Sequence, residues 1–308
     1  MTSFLDSARR WFIERATANE QLCDVSDAVA DGDNAVFYAE VARRTRALAA
    51  SPVGEGLFDP GGVGCVVLMG EYGVHGYGIR EAQCMLRIDG TPSYWNHCFL
   101  VADALSEDAT RNRDRHDSPW IWESTVEPPL PSNDFTHRNG VGSRRLHDYT
   151  RAEFSLTELH SIPNICAFAV GMTASERKSV IDRGTDPEVA TMRYDISGLL
   201  GTWVSYLRDR ESLPNPLSKR NAVYCSAYIQ LAFEAAGINL APSADLHNTA
   251  PEHLWQMAKW LKAHLPKVRI GGEVRERPLV GWYCIRDKAC RVTPEPPPMG
   301  RGMSDVAL

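Results

Sequence analysis

None of the eight cysteines, at positions 23, 65, 84, 98, 166, 225, 284 and 290, belongs to a C-x-x-C pair. Neither a zinc ribbon nor a disulfide framework is indicated, and a reducing compartment is the simpler expectation. Long apolar runs are also missing: nothing approaches the roughly 18 to 20 residues that span a bilayer, so no integral membrane segment is expected. The opening MTSFLDSARRWFIERATANEQ has Glu14 and Arg15 where an export signal would carry its apolar centre. The expectation is a cytoplasmic protein, or one exported by a signal-peptide-independent system. Basic residues are short as well, with 33 Lys and Arg against 39 Asp and Glu and a formal net charge of -6. That balance argues against the broad basic surface a nucleic-acid or anionic-membrane partner needs, and leaves room only for local basic clusters. The glycine-rich GEYGVHGYG at 70–78 lacks the G-x-x-x-x-G-K-[ST] order of a phosphate loop, and DGDN at 31–34 lacks the spacing of a calcium loop. The first reads as a loop or hairpin beside a cleft, the second as a turn and helix cap. No metal, no cofactor and no internal repeat is called for.

What is present is the mix of a globular protein: 308 residues, 44% hydrophobic and 23% charged. Residues 1–55 read as a helical extension, with Phe4, Leu5, Ala8, Trp11 and Phe12 on one stripe and a second helix in NAVFYAEVARRTRALAA. SPVGEGLFDPGGVG breaks that pattern. From about 63 come short β-rich runs, CVVLM, GYGIREAQCMLRI, WNHCFLVAD, PWIWESTVE and IPNICAFAV, before the helical YDISGLLGTWVSYLRDR and TAPEHLWQMAKWLKAHL. In the last of these Thr249 suits the N-cap, Pro251 the first turn and Glu252 the positive end of the dipole. Strands grouped before helices indicate an α+β domain, placed at 56–265. Residues 266–308 form a C-terminal extension with the Pro-rich tail TPEPPPMGRGMSDVAL.

One helix stands out. In YCSAYIQLAFEAAG the polar residues Ser226, Gln230 and Glu234 fall four apart on one narrow stripe, so the helix is expected at the centre of the domain, with Gly237 as its left-handed stop. Cys225 sits at its start, where free backbone N–H groups and the dipole favour an anion and lower a thiol pKa. A small buried core cysteine is the competing reading. A nucleophile needs a base, and His97 is the one histidine of nine that opens an apolar strand. Glu123, between two tryptophans and a polar stretch in WIWESTVE, is a carboxylate that needs a partner to offset its desolvation. It could orient the His97 ring if the two strands pair across SEDATRNRDRHDSP. A satisfied core histidine and an outward-facing glutamate are the alternatives. A metal site from His97, Cys98 and Cys225 is disfavoured because adjacent strand residues point to opposite faces.

The succession SYWNHCFLVAD, IWESTVEPPL, RYDISGLLG and AVYCSAYIQLAFEAAGINL followed by TAPEHL resembles the permuted NlpC-type papain-like cysteine hydrolases, the YiiX-like branch. The likeness covers about residues 60–260. It implies a circularly permuted papain-like fold, an antiparallel sheet packed on a central cysteine-bearing helix, with the N-terminal helices as an addition. It also implies a triad of Cys225, His97 and Glu123, with Glu127 as a rival third member. Tyr224, Tyr94 and Trp95 adjoin these residues and are candidates for lining the cleft, or for core. The implied activity is cleavage of an amide bond in peptide or peptidoglycan, or of a lipid-like acyl ester, through a thioester, with acyl transfer and a non-catalytic binding module as alternatives. The N-terminal helices are a candidate docking element for a protein partner. The entry segment DPGGVGCVVLM departs from the family in lacking its usual Gly-Asp.

Overall fold

A computed structural model describes residues 23–24, 34–52, 54–126, 139–150, 162–270 and 273–292. The expected first helix around Phe4 to Phe12, the rival Glu127 and the tail 293–308 lie outside the described residues.

The molecule is α+β, built on one sheet in the order β1, β9, β6, β2, β3, β4, β5. Its strands are β1 (Cys23–Asp24), β2 (Val66–Gly70), β3 (His97–Val101), β4 (Trp120–Thr125), β5 (Gly140–Arg145), β6 (Asn164–Val170) and β9 (Leu279–Ile285). The short β1 pairs in parallel with β9, and every other pairing in this sheet is antiparallel. A small separate hairpin joins β7 (Lys267–Ile270) to β8 (Glu273–Glu276). The central strands β2, β3 and β6 are buried along their whole length, which explains why they read as unbroken apolar runs.

Alternation along these strands divides the core in two. Val66, Leu68, Cys98, Leu100, Cys166 and Phe168 face one layer. That layer includes α7 (Cys225–Glu234) and α8 (Pro251–His264). Val67, Met69, Phe99, Val101 and Ala167 face the other, where Phe37, Tyr38, Val41 and Ala42 of α1 (Asn34–Ala49) cover them. Around the first layer stand α2 (Val74–Ala82), α5 (Ala174–Gly184) and α6 (Ile196–Leu207), while the short α3 (Ala109–Arg113) and α4 (His147–Thr150) flank β4 and β5 in sequence.

Three expectations change. The run GYGIREAQCMLRI is not a strand: α2 and a 3₁₀ turn at Cys84–Leu86 occupy it. Its buried positions, Gly76 and Arg80, recur at helical spacing, and Arg80 needs a helix to carry its guanidinium inward to Asp287. The boundaries at 55 and 265 do not coincide with the core. α1 covers a sheet face, and β9 lies inside the sheet beside β6 because LVGWYCI is apolar enough to be buried there. Thirdly, the cap of α8 is Ala250, with Pro251 at the first helical position. Other expectations hold: α7 begins at Cys225, and Gly237 takes a φ of 70° just after it, where the chain turns back to bond Phe233. Among the described residues no helix is long and apolar enough to cross a membrane.

Arg80 and Asp287 lock the last strand to the site wall. Their side chains meet at 2.7 Å, fully enclosed, and Asp287 also receives the backbone N–H of Arg291. Removing one partner of a buried pair strands the other charge. Asp287→Ala is therefore expected to lower the unfolding free energy by about 3 to 5 kcal/mol in urea titration. Lys178→Ala, which breaks an exposed pair with Asp182, is expected to leave the midpoint unchanged.

Candidate active site

The site begins with a buried carboxylate. Glu123 on β4 is 1% exposed, and three side chains from three elements answer its charge. The His97 Nε2 lies 2.5 Å from its Oε2, and the Tyr149 hydroxyl donates to the same oxygen at 2.5 Å. Arg144 of β5 forms an ion pair with the other oxygen. Register explains the convergence: Trp122 stands opposite Leu100, so alternation puts Glu123 on the face that also carries Phe99. Tyr149 stacks on Phe99 at 5.2 Å, and Arg144 lies over the Tyr149 ring. The carboxylate is thus fixed as well as neutralised.

Cys225 approaches from the other layer. It is the first residue of α7, follows the N-cap Tyr224, and no side chain caps the helix. The chain leading into it is tied to β4 by Ser124, whose hydroxyl donates to Val223 O at 2.6 Å. Its Sγ donates to the Asn96 carbonyl at 4.0 Å, with the Cys98 thiol and the His97 ring placed to stabilise a thiolate there. His97 opens β3, at the end of the strand. There one ring meets Glu123 on one side and Cys225 on the other.

Electrostatics follow from these contacts. Burial alone would raise the Glu123 carboxyl, but Arg144, His97 and Tyr149 outweigh it and bring the pKa to about 2. Burial likewise opposes a charged His97, yet the Glu123 carboxylate and the Cys225 sulfur beside it push the imidazole well above its usual value. For Cys225 the hydrogen bond from Cys98 is the largest influence and stabilises the thiolate. Burial works against it, and His97 adds to the lowering, leaving the thiol well below its usual range. Burial, then the negative sulfur of Cys225, keeps Cys98 protonated as the donor. Both shifts run toward a thiolate and imidazolium pair.

Cys225 is only 3% exposed, yet it lines a cleft of about 730 Å³. One wall is α2, with Val74, Tyr77 and Ile79; the other is α6, with Leu199, Leu200 and Trp203. Pro251 and Ala250 at the head of α8 adjoin them, and Glu81 is the one acidic lining residue. Of the residues singled out in sequence, Tyr224 lines this cleft, its hydroxyl 3.1 Å from Thr202 Oγ1. Tyr94 and Trp95 do not line it. Trp95 is wholly buried against Trp255, and Tyr94 packs on the core beneath Arg87. The segment at 70–78 does border the cleft, as a helix. His97 and Glu123 stand behind Cys225, outside the cleft lining.

Arg144, Tyr149 and Cys98 were not anticipated. GSRRLHDY carries no apolar periodicity to separate an inward arginine from its outward neighbour, and Cys98 was weighed only as a metal ligand. Among the described residues no group of three or more His, Cys, Asp or Glu side chains could hold a metal ion. Comparison with models of known protein families, with curated proteins and with solved structures finds no match.

Two consequences are measurable. Tyr149→Phe removes one donor from a buried carboxylate and is expected to cost about 1.5 to 3 kcal/mol, read by chemical denaturation. Glu123→Gln is expected to lower the His97 imidazole pKa, because the carboxylate that raises it is gone, read by NMR titration. Because the folded Glu123 value lies below its unfolded one, its stabilising contribution is full above about pH 4.3 and is lost as pH falls toward 2. The raised His97 contributes fully below about pH 6.5 and loses that contribution as pH climbs through its folded value.

Proposed function

We propose that the protein is a cysteine hydrolase or acyltransferase of the permuted papain-like type, with Cys225 as nucleophile, His97 as base and acid, and Glu123 as the group that orients His97. The single observation that carries this reading is Cys225 at an uncapped helix start, touching both the cleft and a histidine held from behind by a carboxylate. That is the arrangement a thiol nucleophile requires.

In this reading the Cys225 thiolate adds to a carbonyl carbon, and the carbonyl π electrons move to oxygen. The Cys225 backbone N–H, at the positive end of α7, contributes to holding that oxyanion. Collapse expels the alcohol or amine, which takes its proton from the His97 imidazolium, leaving an acyl thioester on Cys225. Water or another acceptor then adds to the thioester while His97 takes its proton. The carboxylic acid or transferred acyl product departs, and the thiolate returns.

The cleft favours a substrate with an acyl chain over a polar, charged cell-wall peptide. Its walls are Val74, Ile79, Leu199, Leu200 and Trp203, with little to pair a peptide's charges. An apolar chain lying there gains up to ~0.8 kcal/mol per methylene removed from water.

The test is hydrolysis of nitrophenyl esters of graded chain length. Expected is a kcat/KM that rises with length, by up to about fourfold per methylene, complete loss in Cys225→Ser, and an acyl adduct on Cys225 in quenched samples by mass spectrometry. Activity surviving in Cys225→Ser, with no adduct, contradicts the mechanism. A rate indifferent to chain length contradicts the substrate.

A further inference from the structure

The helix α6 is inside out. Its buried positions are Gly198, Gly201, Thr202, Ser205 and Tyr206, small or hydroxyl-bearing, whereas Ile196, Leu200, Trp203, Val204 and Leu207 are 38 to 58% exposed. Those five recur at i, i+4, i+7, i+8 and i+11, one continuous stripe, in a twelve-residue helix with no charged side chain. An amphipathic helix in water presents the opposite pattern. The inward face is committed, so rotation cannot hide the stripe: Thr202 Oγ1 donates to His247 O, and Tyr206 hydroxyl to Asn248 O. At Gly201 a Cβ would come within 2.1 Å of Asn215, which holds residues 211–220 along the helix.

That adjoining segment extends the same surface. Leu213 and Leu217 are half exposed and border a shallow depression with Val204, Arg208 and Arg210. Along residues 193–220 the exposed charges are mostly basic. Arg193 precedes the helix, Arg208 and Arg210 follow it, and Lys219 and Arg220 lie on the segment whose Lys219 N–H bonds the helix-capping Asp195. All five cations are exposed, against one exposed acid between 193 and 220, Asp209, in a chain whose formal net charge is -6. Leu200 and Trp203 also form the cleft wall, so the stripe is continuous with the mouth that leads to Cys225.

We infer that the α6 face docks on an anionic lipid surface, its apolar stripe entering the acyl boundary and its cationic collar meeting the headgroups. An exposed apolar stripe with a tryptophan and a basic border is what such a surface recognises. Docked in this way, the cleft opens toward the bilayer. An acyl chain reaches Cys225 without crossing water, which deepens the proposed function while the docking itself needs no thiol chemistry.

The test is sedimentation of the full chain with phosphatidylcholine vesicles, with and without phosphatidylserine. Expected is binding to the phosphatidylserine vesicles that weakens with added salt and persists in Cys225→Ser. Ile196→Ser combined with Leu207→Ser, positions outside the cleft lining, is expected to reduce binding about tenfold or more. Arg208→Glu with Arg210→Glu is expected to abolish the preference for anionic lipid. Unchanged urea midpoints in both double variants establish that they fold. A chain that stays in the supernatant with both vesicles overturns the proposal, as do folded variants that bind like the parent. So does concentration-dependent dimerisation, seen by ultracentrifugation and lost in the serine variant, without vesicle binding. Failure of Cys225→Ser to lose ester hydrolysis, with docking intact, would sink the catalytic reading alone.

Discussion

A carboxylate enclosed at 1% exposure is the constraint on which the arrangement around it depends. An ionised group so placed is tolerated only when other groups replace the water it gave up. Here Arg144, Tyr149 and His97 do so, and each brings its own element into place: β5, α4 and β3. The Glu123 charge explains why the His97 imidazole is raised despite burial, and His97 in turn contributes to lowering the Cys225 thiol. Remove the charge on Glu123 and the reason for both shifts weakens. The Cys98 thiol adds a second, independent hold on the sulfur, from the same strand as the histidine.

The sheet makes this possible by keeping its two faces distinct. α1 and the Phe99 layer enclose Glu123 from one side, while α7 delivers Cys225 from the other. His97 is the residue where the two meet, because it is the first of its strand. The locked pair of Arg80 and Asp287 ties α2, one cleft wall, to the segment that follows β9. A domain lacking β9 would lack that tie.

Much of this was legible in the sequence, for reasons that are physical. Strands buried on both faces leave apolar runs, as β2, β3 and β6 do, and β4 shows as a shorter run around Ile121; a helix with one narrow polar stripe leaves a pattern, as α7 does. His97 and Glu123 were legible because a polar residue in such a run needs a partner. What stayed hidden had no periodic signal. Arg144 and Tyr149 act through contacts between segments, and GYGIREAQCMLRI looked like strand because its glycines and β-branched residue mask a short helix. Sequence leaves Trp95 open between cleft and core, and contact decides it: the chain turns its ring inward to Trp255. The cleft itself is made by α2 and α6, whose pairing across it is a contact between distant segments that leaves no periodic signal.

The coupled pair at the centre is tested most directly by the pH dependence of Cys225 alkylation with iodoacetamide, in the parent chain and in His97→Ala. The account predicts labelling of Cys225 that sets in at lower pH than for an ordinary thiol, with the inflection moving upward in the variant. Labelling of both proteins only above about pH 8, as an unactivated thiol near 8.5 behaves, would contradict it.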